Sequence, residues 1–332
     1  MFIIENYSLA VVFCFITMLC WGSWGNTQKL ASKNWRFELF YWDYVIGVLL
    51  FSLFSALTLG SFGSVGRSFI PDLMQAEGAN LASALAGGIL FNLSNILLSA
   101  AIAISGMSVA FPLGVGLALI LGVVINFIST PKGDPLVLFI GVGLIAIAIL
   151  LNAIAYKNMS ANKNSSTKGI VIAFIAGILM SSFYRFIAAS MDIDNFQSPE
   201  IGKMTPYTAV FVFAVGMFLS NFLINTVVMK RPFVGLPVSY KNYFAGGFKT
   251  HLIGVFGGVI WGIGNSLNLI AAGKAGAAIS YGLGQGATMV AAFWGVFIWK
   301  EFRGGPKVNN TYLGLMFLLF LTGIGLIIYA GS

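Results

Sequence analysis

GGILFNLSNILLSAAIAISGMSVAFPLGVG, residues 87–116, and GGVIWGIGNSLNLIAAGKAGAAISYGLGQG, residues 257–286, decide how this chain folds. Laid one above the other without a gap, they agree at nine of thirty positions. Gly87, Gly88, Asn95, Leu97, Ala101, Gly106, Leu113, Gly114 and Gly116 meet Gly257, Gly258, Asn265, Leu267, Ala271, Gly276, Leu283, Gly284 and Gly286. Around these segments the apolar stretches of the chain fall into two sets of five. A unit with an odd number of spans re-enters the bilayer with its orientation reversed. The pattern therefore predicts an all-α integral membrane fold of ten transmembrane helices arranged as two inverted five-helix repeats. Inverted repeats are the architecture of alternating-access transporters, with the substrate site between the halves near the bilayer midplane.

Composition agrees. Of 332 residues, 58% are hydrophobic and only 8% are charged, against roughly 25% charged in soluble domains. Crossing a hydrocarbon core takes about 20 apolar residues. That length predicts spans at 8–30, 39–60, 82–104, 107–129, 135–156, 169–190, 206–228, 251–273, 275–299 and 311–330. The expected organisation is a first five-helix repeat over 1–156, a cytoplasmic linker over 157–168 and a second repeat over 169–332. The linker, KNMSANKNSSTK, is polar and basic. Connections at 61–80 and 229–249 are too short to form separate domains.

The net charge of +8 is a topology signal and not a mark of nucleic-acid binding. Loops after the first, fifth, seventh and ninth spans hold thirteen Lys and Arg residues: Lys29, Lys33, Arg36, Lys157, Lys163, Lys168, Lys230, Arg231, Lys241, Lys249, Lys300, Arg303 and Lys307. The opposite loops hold four: Arg67, Lys132, Lys203 and Lys274. By the positive-inside rule, both termini are expected on the non-cytoplasmic side of a multi-pass protein of the cell's inner (plasma) membrane. The leader MFIIENYS lacks Lys and Arg and carries Glu5, unlike a signal peptide. Cys14 and Cys20 share the first span at a spacing that suits neither a metal nor a disulfide. His251 sits at a span end, where a catalytic or metal role is not expected. No nucleotide-binding Gly-Lys motif, His/Cys cluster or nucleophile–base pair appears, so the chain reads as a non-enzyme needing no cofactor or metal.

Amides inside a span are costly unless they find partners, and here they recur in both copies. Phe91 and Asn95 are four apart, as are Trp261 and Asn265, so each pair shares a helix face. Asn92 and Asn268 extend the two stripes. A ring beside a carboxamide suits a planar polar ligand, since the ring stacks while the amide donates and accepts. Structural bonds between helices would use the same residues. Trp21, Trp24 and Gln28 follow i, i+3, i+7 spacing in CWGSWGNTQKL, either lining a pore or forming an interfacial belt. Tyr281 and Gln285 form another pair, with Gln285 between glycines. Tyr184 and Arg185 lie inside the sixth span, where Arg185 either holds a substrate oxygen or snorkels outward. Asp43, about one turn into the second span, is the first choice for a proton-coupling acid, with Lys29 its expected partner. An interfacial ion pair is the plainer reading of the two. Glu301, at the end of the ninth span, reads as a topological or gating residue. Gly106 and Gly276, in the tight third-to-fourth and eighth-to-ninth links, read as turn glycines.

At these residues the chain resembles the ureide permease family, within the drug/metabolite transporter superfamily. The likeness is carried by the WGSW of the first span, by Asp43-Tyr44, and by ISGMSVAFPLGVGLALILGVVINF at 104–127. PYTAVFVF at 206–213 and FWGVFIWKEFRGGPK at 293–307 complete it. The resemblance implies ten helices in two inverted repeats and a carrier; plant members import allantoin, uracil and related heterocycles with protons, while neighbouring bacterial porters take glucose, ribose or rhamnose. This chain lacks the long central loop of the plant members.

The expectation is thus a secondary transporter importing a small neutral polar solute, a ureide- or nucleobase-like heterocycle or a sugar, with protons. Its partners would be the solute, protons and the lipid bilayer, in a monomer or homodimer. A drug or metabolite exporter and a non-transporting membrane sensor are the alternatives. Export of cations calls for a deep carboxylate, and Asp43, the acid inside a predicted span, lies near its end.

Overall fold

In lipid no water is available to satisfy a free peptide group, so each long apolar run closes its hydrogen bonds within itself as a helix. In the computed structural model, which describes residues 1–31, 35–159 and 167–332, the helices in chain order are α1 (Tyr7–Ala31), α2 (Phe37–Leu57), α3 (Phe69–Gln75), α4 (Gly78–Ser105), α5 (Met107–Ser129), α6 (Pro135–Met159), α7 (Thr167–Ala189), α8 (Pro206–Lys230), α9 (Tyr240–Phe244), α10 (Phe248–Ala275), α11 (Ala277–Gln285), α12 (Ala287–Phe293) and α13 (Val308–Ala330). A π-helical turn, Trp294–Ile298, prolongs α12. Among the described residues β pairing is confined to an isolated bridge between Met191 and Met204. Ten of the segments are long and apolar enough to cross a membrane, α11, α12 and the π turn counting as one broken span. The chain is an all-helical, multi-pass membrane protein. Most of the proposed linker, residues 160–166, lies outside the described residues.

Two departures from the sequence reading bear on function. The ninth span is broken at Gly286 and loosened further by the π turn, which ends beside Lys300 at φ 52°. The connections at 61–80 and 229–249 each contain a short helix, α3 and α9.

Packing occurs in matched pairs. Helix α4 lies against α7 as α10 lies against α1, and α2 against α10 as α8 against α4. Helix α5 meets α7 as α11 and α12 meet α1. The contacts α6–α13, α2–α8 and α5–α11 join the fifth span to the tenth, the second to the seventh and the fourth to the ninth directly. Close approach relies on glycine: a Cβ on Gly258 would strike the carbonyl of Tyr44, and one on Gly88 that of Phe213. At both tight links the capping glycine, Gly106 or Gly276, has φ 83°. Only glycine enters that backbone region without strain, so the turn reading of these two residues fits.

Candidate functional site

Where α1, α4, α5, α7, α10 and the α11–α12 break converge, the helices enclose a cavity of about 20 Å³, room for about one water. Its wall is aromatic: Trp21 and Trp24 from α1, Phe91 from α4, Phe111 from α5, Phe183 from α7 and Trp261 from α10. Trp21 stacks on Trp261 at 6.0 Å and 10°, and Phe91 on Trp261 at 4.3 Å and 30°. Trp24 rests against Tyr44 of α2, centroids 4.9 Å apart. The polar groups at this wall are Asn95 and Gln285. The buried Trp21 Nε1 finds no hydrogen-bond partner among the described residues, and the Asn95 amide makes no hydrogen bond of ordinary length, though it interacts with the Tyr41 and Tyr44 hydroxyls of α2. A buried donor without a partner costs about 1–3 kcal/mol, and a ligand acceptor would remove that cost.

Of the residues expected at the site, Trp21, Trp24, Phe91, Asn95, Trp261 and Gln285 line this cavity. The others go elsewhere. Gln28 lies a turn away, donating to the Ser99 carbonyl at 3.1 Å. Asn92 turns to α8 and bonds Ser220 Oγ at 3.0 Å. Asn268 and Tyr184 are committed to α11: Asn268 Nδ2 donates to the Ser280 carbonyl at 2.7 Å, and the Tyr184 hydroxyl meets Ser280 Oγ at 3.1 Å. The Tyr281 hydroxyl donates to the Ala118 and Met180 carbonyls, at 3.2 and 3.4 Å. Asn265 is fully buried, and neither of its amide atoms has a partner among the described residues. Arg185 is exposed on the outside of the bundle, one residue past buried Tyr184, so it does not reach the cavity.

A vestibule of about 330 Å³ opens beyond the cavity at the end of the molecule rich in Lys and Arg. Gln28, Lys29, Trp35, Arg36, Met107 and Glu301 are among its lining residues. Lys29 is paired here with Glu301, Nζ to Oε1 2.6 Å, and stands over the Trp299 ring at 4.2 Å. The expected Lys29–Asp43 pairing is not made. Glu301 also accepts from the Tyr156 hydroxyl at 2.7 Å, so one carboxylate ties α1, α6 and the end of the ninth span. At the opposite end a smaller space of about 140 Å³ lies beneath Phe196, lined by Ile270, Gly273 and Lys274 of α10.

Asp43 has other partners. Its Oδ1 accepts from the Tyr243 hydroxyl at 2.6 Å and lies 2.8 Å from His251 Nδ1; its Oδ2 accepts from Trp35 Nε1 at 3.1 Å. Burial, then the bond to Asp43 and its charge, push the Tyr243 hydroxyl well above its ordinary range, so it stays protonated and donates. Sequence reasoning missed His251, Tyr243, Trp35, Tyr44, Phe111 and Phe183. Phe111 was within reach, because it stands opposite Tyr281 in the repeat alignment. The Asp43 cluster was not, since it joins residues from a loop, a short helix and two spans.

A polytopic helical bundle closed around a small polar-aromatic cavity, with a vestibule at either end, is the form of a membrane transport protein. The ureide permease family model matches residues 40–168 and 161–330, and the chain belongs to that family. It is 25% identical to ureide permease 1 of Arabidopsis thaliana, over 98% of both chains, and 26% identical to ureide permease 2 of the same plant, over 97% of this chain and 96% of the relative. A Staphylococcus aureus protein named "Probable glucose uptake protein GlcU" is 23% identical over 66% of this chain and 68% of its own length. A solved structure titled only "Crystal structure of protein" superposes with TM-score 0.60 at 14% identity, over 97% of this chain and 96% of that one. That likeness concerns the fold.

Proposed function

We propose that this chain is a secondary carrier that imports a small, neutral, planar polar solute together with protons, by alternating access between two five-span halves of opposite orientation. The observation that carries the reading is the central cavity: stacked rings, with Asn95 and Trp21, each carrying a buried N–H without an ordinary hydrogen bond, among the residues that line it. Rings offer faces for stacking, and the donors suit carbonyl oxygens, so the lining suits a ureide or a nucleobase better than a sugar; the cavity of about 20 Å³ would have to widen to admit any of them. The matched contacts under exchange of halves support the inverted repeat, and the thirteen basic loop residues support placing that end in the cytoplasm with both termini outside. The names of the plant relatives point to the same solutes, and that of the bacterial one keeps a sugar in the comparison.

The test is uptake of labelled allantoin, uracil and glucose into proteoliposomes of the full chain, with and without an imposed pH gradient. Accumulation of a heterocycle that collapses with the gradient is the expected result. Accumulation indifferent to the gradient removes proton coupling; uptake of glucose alone removes the heterocycle; uptake of none removes the carrier.

A further inference from the structure

Two pairs of close helix contacts fix which residues of the two halves correspond around α2 and α8. Cβ atoms built on Gly47 and Gly258 would strike the carbonyls of Val255 and Tyr44, where α2 crosses α10. Gly216 and Gly88 meet the carbonyls of Leu85 and Phe213 in the same way, where α8 crosses α4. In that register Asp43 corresponds to Val212 and His251 to Leu81. The second crossing is therefore made with apolar residues where the first buries a carboxylate and an imidazole. Packing of this kind needs neither, yet a buried charge is costly to keep.

We propose that Asp43 and His251 together form the proton site of the carrier, His251 being the group that gains and loses the proton. The inference rests on the proton-coupled reading above and adds the residue that titrates. Imidazole is the side chain whose ordinary titration falls near neutral pH. The His251 side chain is 24% exposed while that of Asp43 is 2% exposed, so the imidazole is the more accessible member of the pair. With the proton bound, an imidazolium faces the Asp43 carboxylate and draws the start of α10 to α2; when the proton leaves, that charge attraction goes with it. Both helices continue into the substrate wall. Tyr44, the residue after Asp43, packs on Trp24, and α10 carries Trp261. Tyr243 and Trp35 are positioning residues: each donates to Asp43, and their rings meet the imidazole edge-on at 4.8 and 5.0 Å.

Every element packed around the pair is otherwise neutral toward it or occupied. From α2, Glu38 is bound to Arg36; from the preceding loop, Arg36 also holds the carbonyls of Val234 and Leu236. From α1, Lys29 is paired with Glu301. From α9 comes Tyr243, and on α10 the neighbouring Lys249 is exposed.

The experiment uses the full chain in proteoliposomes with labelled uracil and allantoin. His251→Asn keeps a donor for Asp43 but cannot titrate near neutral pH. Exchange of labelled for unlabelled solute, which needs no gradient, should survive in H251N. Accumulation driven by a pH gradient should fall by about tenfold or more. Undiminished accumulation with the parent pH profile overturns the proposal. Should H251N fail even at exchange, Tyr243→Phe decides: loss of its bond to Asp43 should move the midpoint of the pH profile by about half a unit or more, and an unmoved midpoint overturns the proposal. A parent protein that exchanges solute but ignores the gradient removes proton coupling itself, and this site with it. A direct readout comes from fluorescence, since an imidazolium quenches an adjacent indole. The emission difference between parent and Trp35→Phe should change with pH in the His251 background and stay flat with H251N.

Discussion

Asn95 and Asn268 look alike in the sequence, two amides in matching spans, yet the structure gives them opposite duties. Asn95 lines the central cavity beside the Tyr41 and Tyr44 hydroxyls and makes no hydrogen bond of ordinary length there; Asn268 Nδ2 holds the Ser280 carbonyl at 2.7 Å, tying α10 to α11. Asn95→Ala removes a donor at the cavity wall that makes no short bond in the protein. Affinity for the solute should fall by about fivefold, the worth of a neutral hydrogen bond of about 1 kcal/mol. The unloaded protein should melt no lower, because the cost of an unpaired buried amide goes with it. Asn268→Ala should do the reverse, losing about 1 kcal/mol of stability with the cavity wall left in place. Thermal unfolding in detergent, with and without allantoin or uracil, separates the two variants. A lower melting point for unloaded Asn95→Ala would place that amide among the structural ones.

At the scale of the helices, glycine marks the points where backbone geometry decides. Gly106 and Gly276 cap the two hairpins at φ 83° with ψ near 160°, a region costing other residues about 1–3 kcal/mol. Nothing lies near a Cβ built on Gly106, so Gly106→Ala should destabilise by backbone strain alone. Gly88→Ala should cost about as much for another reason, forcing α4 from the Phe213 carbonyl of α8. Gly78, at the start of α4 with open space around it, should accept Ala with no loss. Equal melting points for the three variants would refute this ranking. The same geometry explains what the sequence disclosed. Span positions were legible because lipid demands about 20 apolar residues each, and the boundaries at Met107, Ser129, Pro135 and Pro206 came out as expected. The rotation of each span was not legible: a helix apolar all round carries no stripe to orient it. Thus Asn92, Tyr184 and Arg185 shared spans with cavity residues but point to other helices or outward. The break in the ninth span at Gly286 was hidden for the same reason, since its apolar run continues through it.

For the whole molecule, the two end vestibules differ in size. One lies beside the end of α4 at the basic end and the other beside the end of α10 at the opposite end. The basic-end space is about 330 Å³ and has Ala103 exposed in it. The other is about 140 Å³, with Ile270 buried and Phe196 pressed over Gly273. If these are the two mouths of one alternating carrier, opening one must close the other, because a single equilibrium governs both. In a background with Cys14 and Cys20 replaced, Ala103→Cys should react quickly with a membrane-impermeant thiol reagent and Ile270→Cys slowly. Phe196→Ala uncovers the smaller vestibule and should speed labelling at 270. A bias of about 1.4 kcal/mol moves such an equilibrium about tenfold, so labelling at 103 should slow in the same variant, although residue 196 lies at the far end. Faster labelling at 270 with no change at 103 would mean that the two spaces open independently, and alternating access would have to be abandoned.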